Sequence, residues 1–203
     1  MTSVSSVDET VDAVFPLEGL SLRRDHAQSL QQALRERLSW LGEDFRTGIH
    51  PVKVVHGGEE SALLPRRARL LIRVSKQRYD DLTNLAGAEL NVDGYRVHLG
   101  TPHARELEPH ATMYAYRVAA ESDDELPFMA AVNAELSELA IGGERVCGKR
   151  HTMVVSGAVL NTFSLMLHQL SPEQSLRLQQ HGLGPQRLLG CGIFVPHKSA
   201  AAV

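Results

Sequence analysis

The sequence predicts an α+β chain made of two βαββαβ units in tandem, closed by a glycine-rich loop and a last short strand. Three observations carry this. Period-2 strands and 3.6-period helices follow one another in the order β-α-β-β-α-β as far as about residue 105. The same order then recurs, without a close sequence repeat, so the duplication is one of pattern only. Finally, Gly182-Leu183-Gly184 and Gly190-Cys191-Gly192 place two Gly-apolar-Gly pairs around a five-residue spacer holding Arg187, between a helix and a strand.

Residues 1–10 are polar and acidic and read as a loose tail. Val11–Phe15 reads as the first strand, ended by Pro16 and Gly19. A helix opens at Asp25, with Asp25 and Gln28 spaced as in a capping box. Ala27, Leu30, Leu34, Leu38 and Leu41 step by three and four along it, and Gly42 ends it. Ile49–Val55 is rich in β-formers and is followed by Gly57-Gly58. In Arg69–Ser75, Leu70, Ile72 and Val74 alternate with Arg69, Leu71, Arg73 and Ser75. Residues 77–90 read as a second helix, and Tyr95, Val97 and Leu99 mark a fourth strand.

The second unit begins with Met113–Ala119, where Tyr114, Tyr116 and Val118 stand at strand spacing. Met129, Val132, Leu136 and Leu139 mark a helix stopped by Gly142-Gly143. Arg145–Val155 and Thr162–His168 read as strands. Ser171-Pro172-Glu173-Gln174 gives a helix start with Ser as N-cap, Pro at N1 and Gln at N3. The glycine loop follows, then Ile193–Val195 as the eighth strand. The predicted organisation is thus a tail over 1–10, a ferredoxin-like (RRM-like) unit over 11–108 and a second over 109–203.

Composition bounds the function. The 203 residues are 43% apolar and 22% charged, ordinary for a globular chain. No apolar run reaches the ~20 residues of a membrane span, and no secretion signal is visible, so a cytoplasmic protein without membrane contact is expected. Two cysteines make neither a disulfide framework nor a metal site. The net charge of −3 argues mildly against a nucleic-acid partner. However, Arg66, Arg67, Arg69, Arg73, Lys76 and Arg78 crowd one segment, and Lys149-Arg150 forms another, while acids gather in 8–12 and 121–125.

The glycine run suits a loop pressed against a phosphate backbone, with peptide N–H groups and the Arg187 guanidinium as donors. It is not a P-loop, since no Gly-Lys-Ser/Thr follows, and its helix–glycine–strand order is the reverse of a dinucleotide fingerprint. The plain alternative is a tight turn packing helix on strand. His26 stands in the first turn of the first helix, where partial positive charge disfavours the imidazolium and leaves a ring able to accept a proton. RNA self-cleavage needs such a base for the 2′-hydroxyl and an acid for the 5′-oxygen. Arg23 and Arg24 are placed to neutralise charge on the phosphorane. The alternative is a solvated histidine at a helix start. His50 is a second candidate, in Gly48-Ile49-His50-Pro51, held extended by the proline; a structural role or an RNA contact competes with catalysis there. Arg66, Arg67, Arg69, Lys149 and Arg150 are candidate RNA contacts, or else solvated strand edges. No metal-ligand spacing, acidic pair or cofactor motif stands out. With 5% aromatics, stacking of several bases on a sheet is not expected.

The Gly-h-Gly-x5-Gly-h-Gly spacing before the last strand, the helix-start histidine in Asp-His-Ala-x-x-Leu-x-x-Ala-Leu and the doubled βαββαβ order resemble the Cas6 family of CRISPR-associated endoribonucleases over about residues 11–197. Gly-Ile-His-Pro resembles a segment of its MYXAN subgroup. The resemblance implies that His26 is the catalytic residue, with His50 kept beside it. It implies that the glycine loop, through Gly182, Gly184, Arg187, Gly190 and Gly192, contacts RNA. It further implies a repeat-hairpin substrate, cleavage without metal or cofactor to a 2′,3′-cyclic phosphate, and other effector-complex subunits as partners. Three rival readings remain: a guide-holding module that does not cleave, an unrelated ferredoxin-like RNA-binding or ligand-sensing protein, and, least supported, a metabolic enzyme.

Overall fold

The computed structural model describes residues 9–55 and 57–197. The chain divides into two compact units, Met1–Leu107 and Glu108–Val203. Each is a ferredoxin-like βαββαβ unit with additions. The tail expected over 1–10 lies outside the described residues except at its end, where Thr10 is already a buried strand residue.

In the first unit the central strand is β1 (Thr10–Glu18). It pairs antiparallel with β5 (Arg69–Ser75), which in turn pairs with β3 (Gly48–Ile49). Cross-strand partners Val11 and Val74, Ala13 and Ile72, Phe15 and Leu70 are all buried and form the apolar face. α2 (Lys76–Thr83) packs on β1 and β5, and α1 (Ala27–Arg35) packs on β6 (Glu89–Val92). On the other side of β1 run β8 (His103–Glu106), beside Val11–Val14, and β7 (Tyr95–Leu99), beside Leu17 and Glu18. β7 also pairs with β6. A small ribbon of β2 (Ser21–Arg23) and β4 (Ser61–Leu63) stands apart.

Several expectations are corrected. β1 runs through Pro16 instead of ending at Phe15. Pro16 falls where β1 changes partner from β8 to β7, a break at which a missing N–H is tolerated. The fourth strand is not residues 95–99 alone, because β8 makes the longer pairing with β1. The first helix stops at Arg35. Beyond it Arg37, Leu41 and Glu43 bond three residues back, so apolar spacing persists through Leu38 and Leu41 without an α-helix. The second helix stops at Thr83, and the chain enters β6. The strand expected over 49–55 shrinks to Gly48–Ile49, Pro51 having no donor to continue it.

The second unit has the order β10-β11-β9-β12, from β9 (Met113–Ala120), β10 (Glu144–Val155), β11 (Ala158–His168) and β12 (Val195–Pro196). α3 (Glu125–Glu138) and α4 (Pro172–His181) cover one face. Phe128, Val132, Leu136 and Leu178 from the helices meet Met113, Ala115, Val118, Phe163, Leu165 and Leu167 from the sheet. β10 and β11 form one long hairpin, turned at Ser156 and Gly157, both with positive φ as a two-residue turn of this kind needs. Ser171 and Gln174 make the reciprocal capping box at the start of α4. That helix delivers the chain into the glycine loop.

Candidate active site

His26 is itself the N-cap of α1, with φ −92°, and Leu30 N–H donates to its carbonyl. The capping role expected of Asp25 is therefore taken one residue later, and without a side-chain cap bond. His26 is 7% exposed, and its Nδ1 lies 2.9 Å from the Arg23 carbonyl oxygen. A carbonyl can only accept, so Nδ1 carries a proton, and in the neutral ring Nε2 is the basic nitrogen. The short linker that sets this geometry is fastened at both arginines. Arg23 donates to Asp93 at 2.7 Å, and Arg24 donates through its side chain to the Gly58 carbonyl and through its backbone to Glu60. Both guanidiniums remain exposed.

His50 has a different setting. Its Nε2 lies 3.2 Å from Asp12 Oδ1, and both residues are buried. Arg73 donates to Asp12 through Nε and Nη2, and Arg105 donates through Nη2 at 2.7 Å. Register explains the cluster: Asp12 stands opposite Arg73 on one side and Arg105 on the other, on the sheet face away from the apolar core. Burial alone would push the Asp12 carboxyl up; the His50 hydrogen bond and the Arg73 guanidinium more than reverse this and hold it far below the carboxylate range. For His50, burial dominates and lowers its pKa, which keeps the ring neutral. The geometry makes this histidine a fastening of the sheet. Asp12 and Arg105 escaped sequence reading, because only strand register shows that they meet.

Arg66, Arg67, Arg69 and Lys149 are exposed, while Arg150 pairs with Asp123 at 2.6 Å. Of the neighbouring cations, Arg73 is buried, Lys76 is engaged by Glu9 and Glu106, and Arg78 by Glu43 and Asp81.

The glycine loop is corrected more sharply. Arg187, expected to point at phosphate, is buried and donates to the His181 and Gln180 carbonyls, capping the end of α4. Gly182, Gly190 and Gly192 are buried as well. A Cβ on Gly192 would lie 1.9 Å from the Leu183 carbonyl oxygen, and one on Gly182 would lie 2.4 Å from the Gly192 carbonyl oxygen. These glycines let the two limbs of the loop cross. Gly184 is half-buried, and Pro185 and Gln186 beyond it are exposed. Its N–H donates to both oxygens of Glu135 on α3, at 2.9 and 3.1 Å. Burial raises the Glu135 carboxyl, and the Gly184 N–H opposes this.

The family model described as Cas6 Crispr matches residues 11–199, nearly the whole chain. The chain belongs to the Cas6 family. A CRISPR-associated endonuclease Cas6 of Myxococcus xanthus is 34% identical over 194 residues, 95% of this chain and 84% of that protein. Among solved structures, a CRISPR-associated Cas6 protein aligns with a TM-score of 0.66 at 9% identity, over 94% of this chain and 99% of the other. An RNA-bound Cse3 of Thermus thermophilus aligns at 0.52 and 16% identity, over 92% and 98%. At such identities the solved structures show a shared Cas6 fold. Membership makes the chain one of the CRISPR-associated endonucleases. Among its described residues no helix is long and apolar enough to cross a membrane.

The buried carboxylate and the glycine loop of this Cas6 member can each be tested by substitution. Asp12→Ala takes from the buried, charged Arg73 the carboxylate to which it donates twice, and a loss of about 3–5 kcal/mol is expected from urea unfolding. The folded Asp12 carboxyl titrates far below its ordinary 3.8, so the unfolded chain takes up the proton first. The stability it contributes is complete above about pH 5 and is lost as pH falls through the acid range; Asp12→Asn should flatten that acid slope. In the loop, Gly192→Ala should cost about 1–3 kcal/mol by overpacking. Arg187→Met should lower the melting temperature while leaving RNA affinity within about twofold, because its guanidinium faces inward.

Proposed function

We propose that this Cas6 protein cleaves the CRISPR repeat transcript at the base of its hairpin without metal or cofactor, and remains on the guide as an effector-complex subunit. The observation that carries the proposal is His26, placed at a helix start with its Nδ1 proton fixed on the Arg23 carbonyl. The Nε2 lone pair takes the proton of a 2′-hydroxyl as that oxygen attacks the adjoining phosphorus. The P–O5′ bond breaks, the 5′-oxygen gains a proton, and a 2′,3′-cyclic phosphate and a 5′-hydroxyl are left. The nucleophile belongs to the substrate, so acid–base groups and cation stabilisation of the phosphorane suffice. Arg23 and Arg24, exposed beside His26, are the cations assigned to it.

Support comes from the relative named as an endonuclease and from the T. thermophilus Cse3 whose bound RNA represents a pre-cleavage complex. His50 is assigned to holding the sheet, since its Nε2 is taken by Asp12. Arg66, Arg67, Arg69, Lys149 and Arg150 are assigned to the RNA backbone, and within the glycine loop only the tip at Gly184 is.

The test is single-turnover cleavage of a repeat RNA by excess protein in EDTA. His26→Ala should reduce the rate by about 10²–10⁴-fold with binding kept within about twofold. His50→Ala, measured on folded protein, should stay within about tenfold of wild type. Cleavage lost in His50→Ala but kept in His26→Ala would reverse the assignment. Wild-type protein that binds the repeat without cutting it would establish the guide-holding module instead.

A further inference from the structure

The core side of β9 is Met113, Ala115 and Val118, so alternation sends Tyr114 and Tyr116 to the face turned away from α3 and α4. Pairing with β11 slips between Phe163 and Leu165, leaving Tyr116 and Arg117 together opposite one residue, and such a bulge re-aims side chains. Three aromatic and cationic groups meet there, and a second aromatic pair lies farther along β9. The Tyr116 ring centroid lies 4.7 Å from that of His151 on β10, tilted by 37°. The Arg117 guanidinium carbon is 5.2 Å from the Tyr116 centroid, and Tyr114 and His197 bring their rings to 5.6 Å. Tyr116 is 47% exposed. The buried Nε of Arg117 meets no hydrogen-bond partner among the described residues. Burial, then Arg117 and Lys149, lower the pKa of His151, so its ring is a neutral aromatic plane.

Charge points the same way. β9, β10 from Arg145 onward and β11 contain no acidic residue, and of their cations Arg117 and Lys149 act on His151, whereas Arg150 is paired with Asp123. Aromatic planes beside cations on the open face of a ferredoxin-like sheet suit a nucleotide: stacking takes the base, and cations take the phosphate. Aromatics are scarce in this chain, but strand register gathers several of them at one place.

We infer that this face binds one unpaired nucleobase of the RNA, stacked against the Tyr116–His151 pair, with Arg117 donating to a neighbouring carbonyl or phosphate oxygen. The site rests on the reading of the protein as an RNA processor, but not on the role given to His26. It recognises single-stranded RNA flanking the hairpin, not the paired stem.

The experiment measures fluorescence anisotropy with two labelled RNAs, the repeat hairpin with its single-stranded flanks and the same hairpin trimmed to its stem and loop. Tyr116→Ala should weaken the flanked RNA about tenfold and leave the trimmed one within about twofold. Tyr116→Phe should bind like wild type, and Tyr116→Leu, which keeps bulk without a ring, like the alanine variant. Melting curves matching wild type exclude a folding defect, as the half-exposed ring predicts. Unchanged binding of the flanked RNA by Tyr116→Ala, or a loss shared equally by the trimmed hairpin, overturns the inference. Wild-type protein that binds neither RNA would sink the reading as an RNA processor, and the site with it.

Discussion

The N-terminal sheet depends on one buried carboxylate. Asp12 is 1% exposed and accepts from Arg73 twice, from Arg105 and from His50, so four side chains share one point on the sheet. Removing a carboxylate and a guanidinium from water costs several kcal/mol per ion, and only paired, hydrogen-bonded geometry offsets it. The bidentate Arg73 contact supplies that geometry, and Arg105, half exposed, completes the acceptor's needs. The arrangement also separates two histidines that look alike in sequence. His50 keeps its proton on Nε2, where the carboxylate is; His26 keeps its proton on Nδ1, where a carbonyl is. Their basic nitrogens are therefore opposite atoms of the ring, and the buried fastening leaves His26 as the histidine set at a helix start.

The glycine loop obeys a constraint of approach. A helix must turn back and feed a strand within a few residues, and its two limbs cross between Gly182-Leu183 and Gly192. At the closest points a single methyl group would overlap a carbonyl oxygen. Arg187 fills the space beneath, and its donors satisfy carbonyls that the end of α4 leaves unpaired. Glu135 then fixes the tip from α3. The spacing of glycines that marks the family is thus a packing requirement first. What it presents outward is a small tip at Gly184, Pro185 and Gln186.

Much of this was legible in the sequence, and the rest failed for identifiable reasons. The doubled element order, the helix at Ala27 and the capping box at Ser171 follow from periodicity and local hydrogen bonding, which act over a few residues. β2, β4 and β8 escaped because they are short, and pairing rather than pattern makes them strands. Apolar spacing through Leu38 and Leu41 matched a helix, yet tight three-residue turns preserve the same spacing. Arg187 was misread for a related reason: an arginine among glycines looks like a phosphate ligand until helix α4 is seen to end above it. Asp12, Arg105 and the pairing of Tyr116 with His151 are properties of register, and nothing local announces them.

Register also accounts for a net charge of −3 on a proposed RNA-binding chain. Net charge counts acids wherever they are, but a polyanion responds to the local balance of charge at the surface it approaches. Asp12, Asp93, Asp123, Glu9 and Glu106 are each spent on a particular arginine or lysine. Such pairs cancel within a few ångströms, far inside the ~8 Å screening length at physiological salt, so they contribute little field to an approaching strand. Arg66, Arg67, Arg69 and Lys149 remain exposed, and the second unit's β9 and β11 carry no acid at all. The potential an RNA experiences is then set by these local surpluses. An acidic total is compatible with nucleic-acid binding when the acids are consumed in holding the fold.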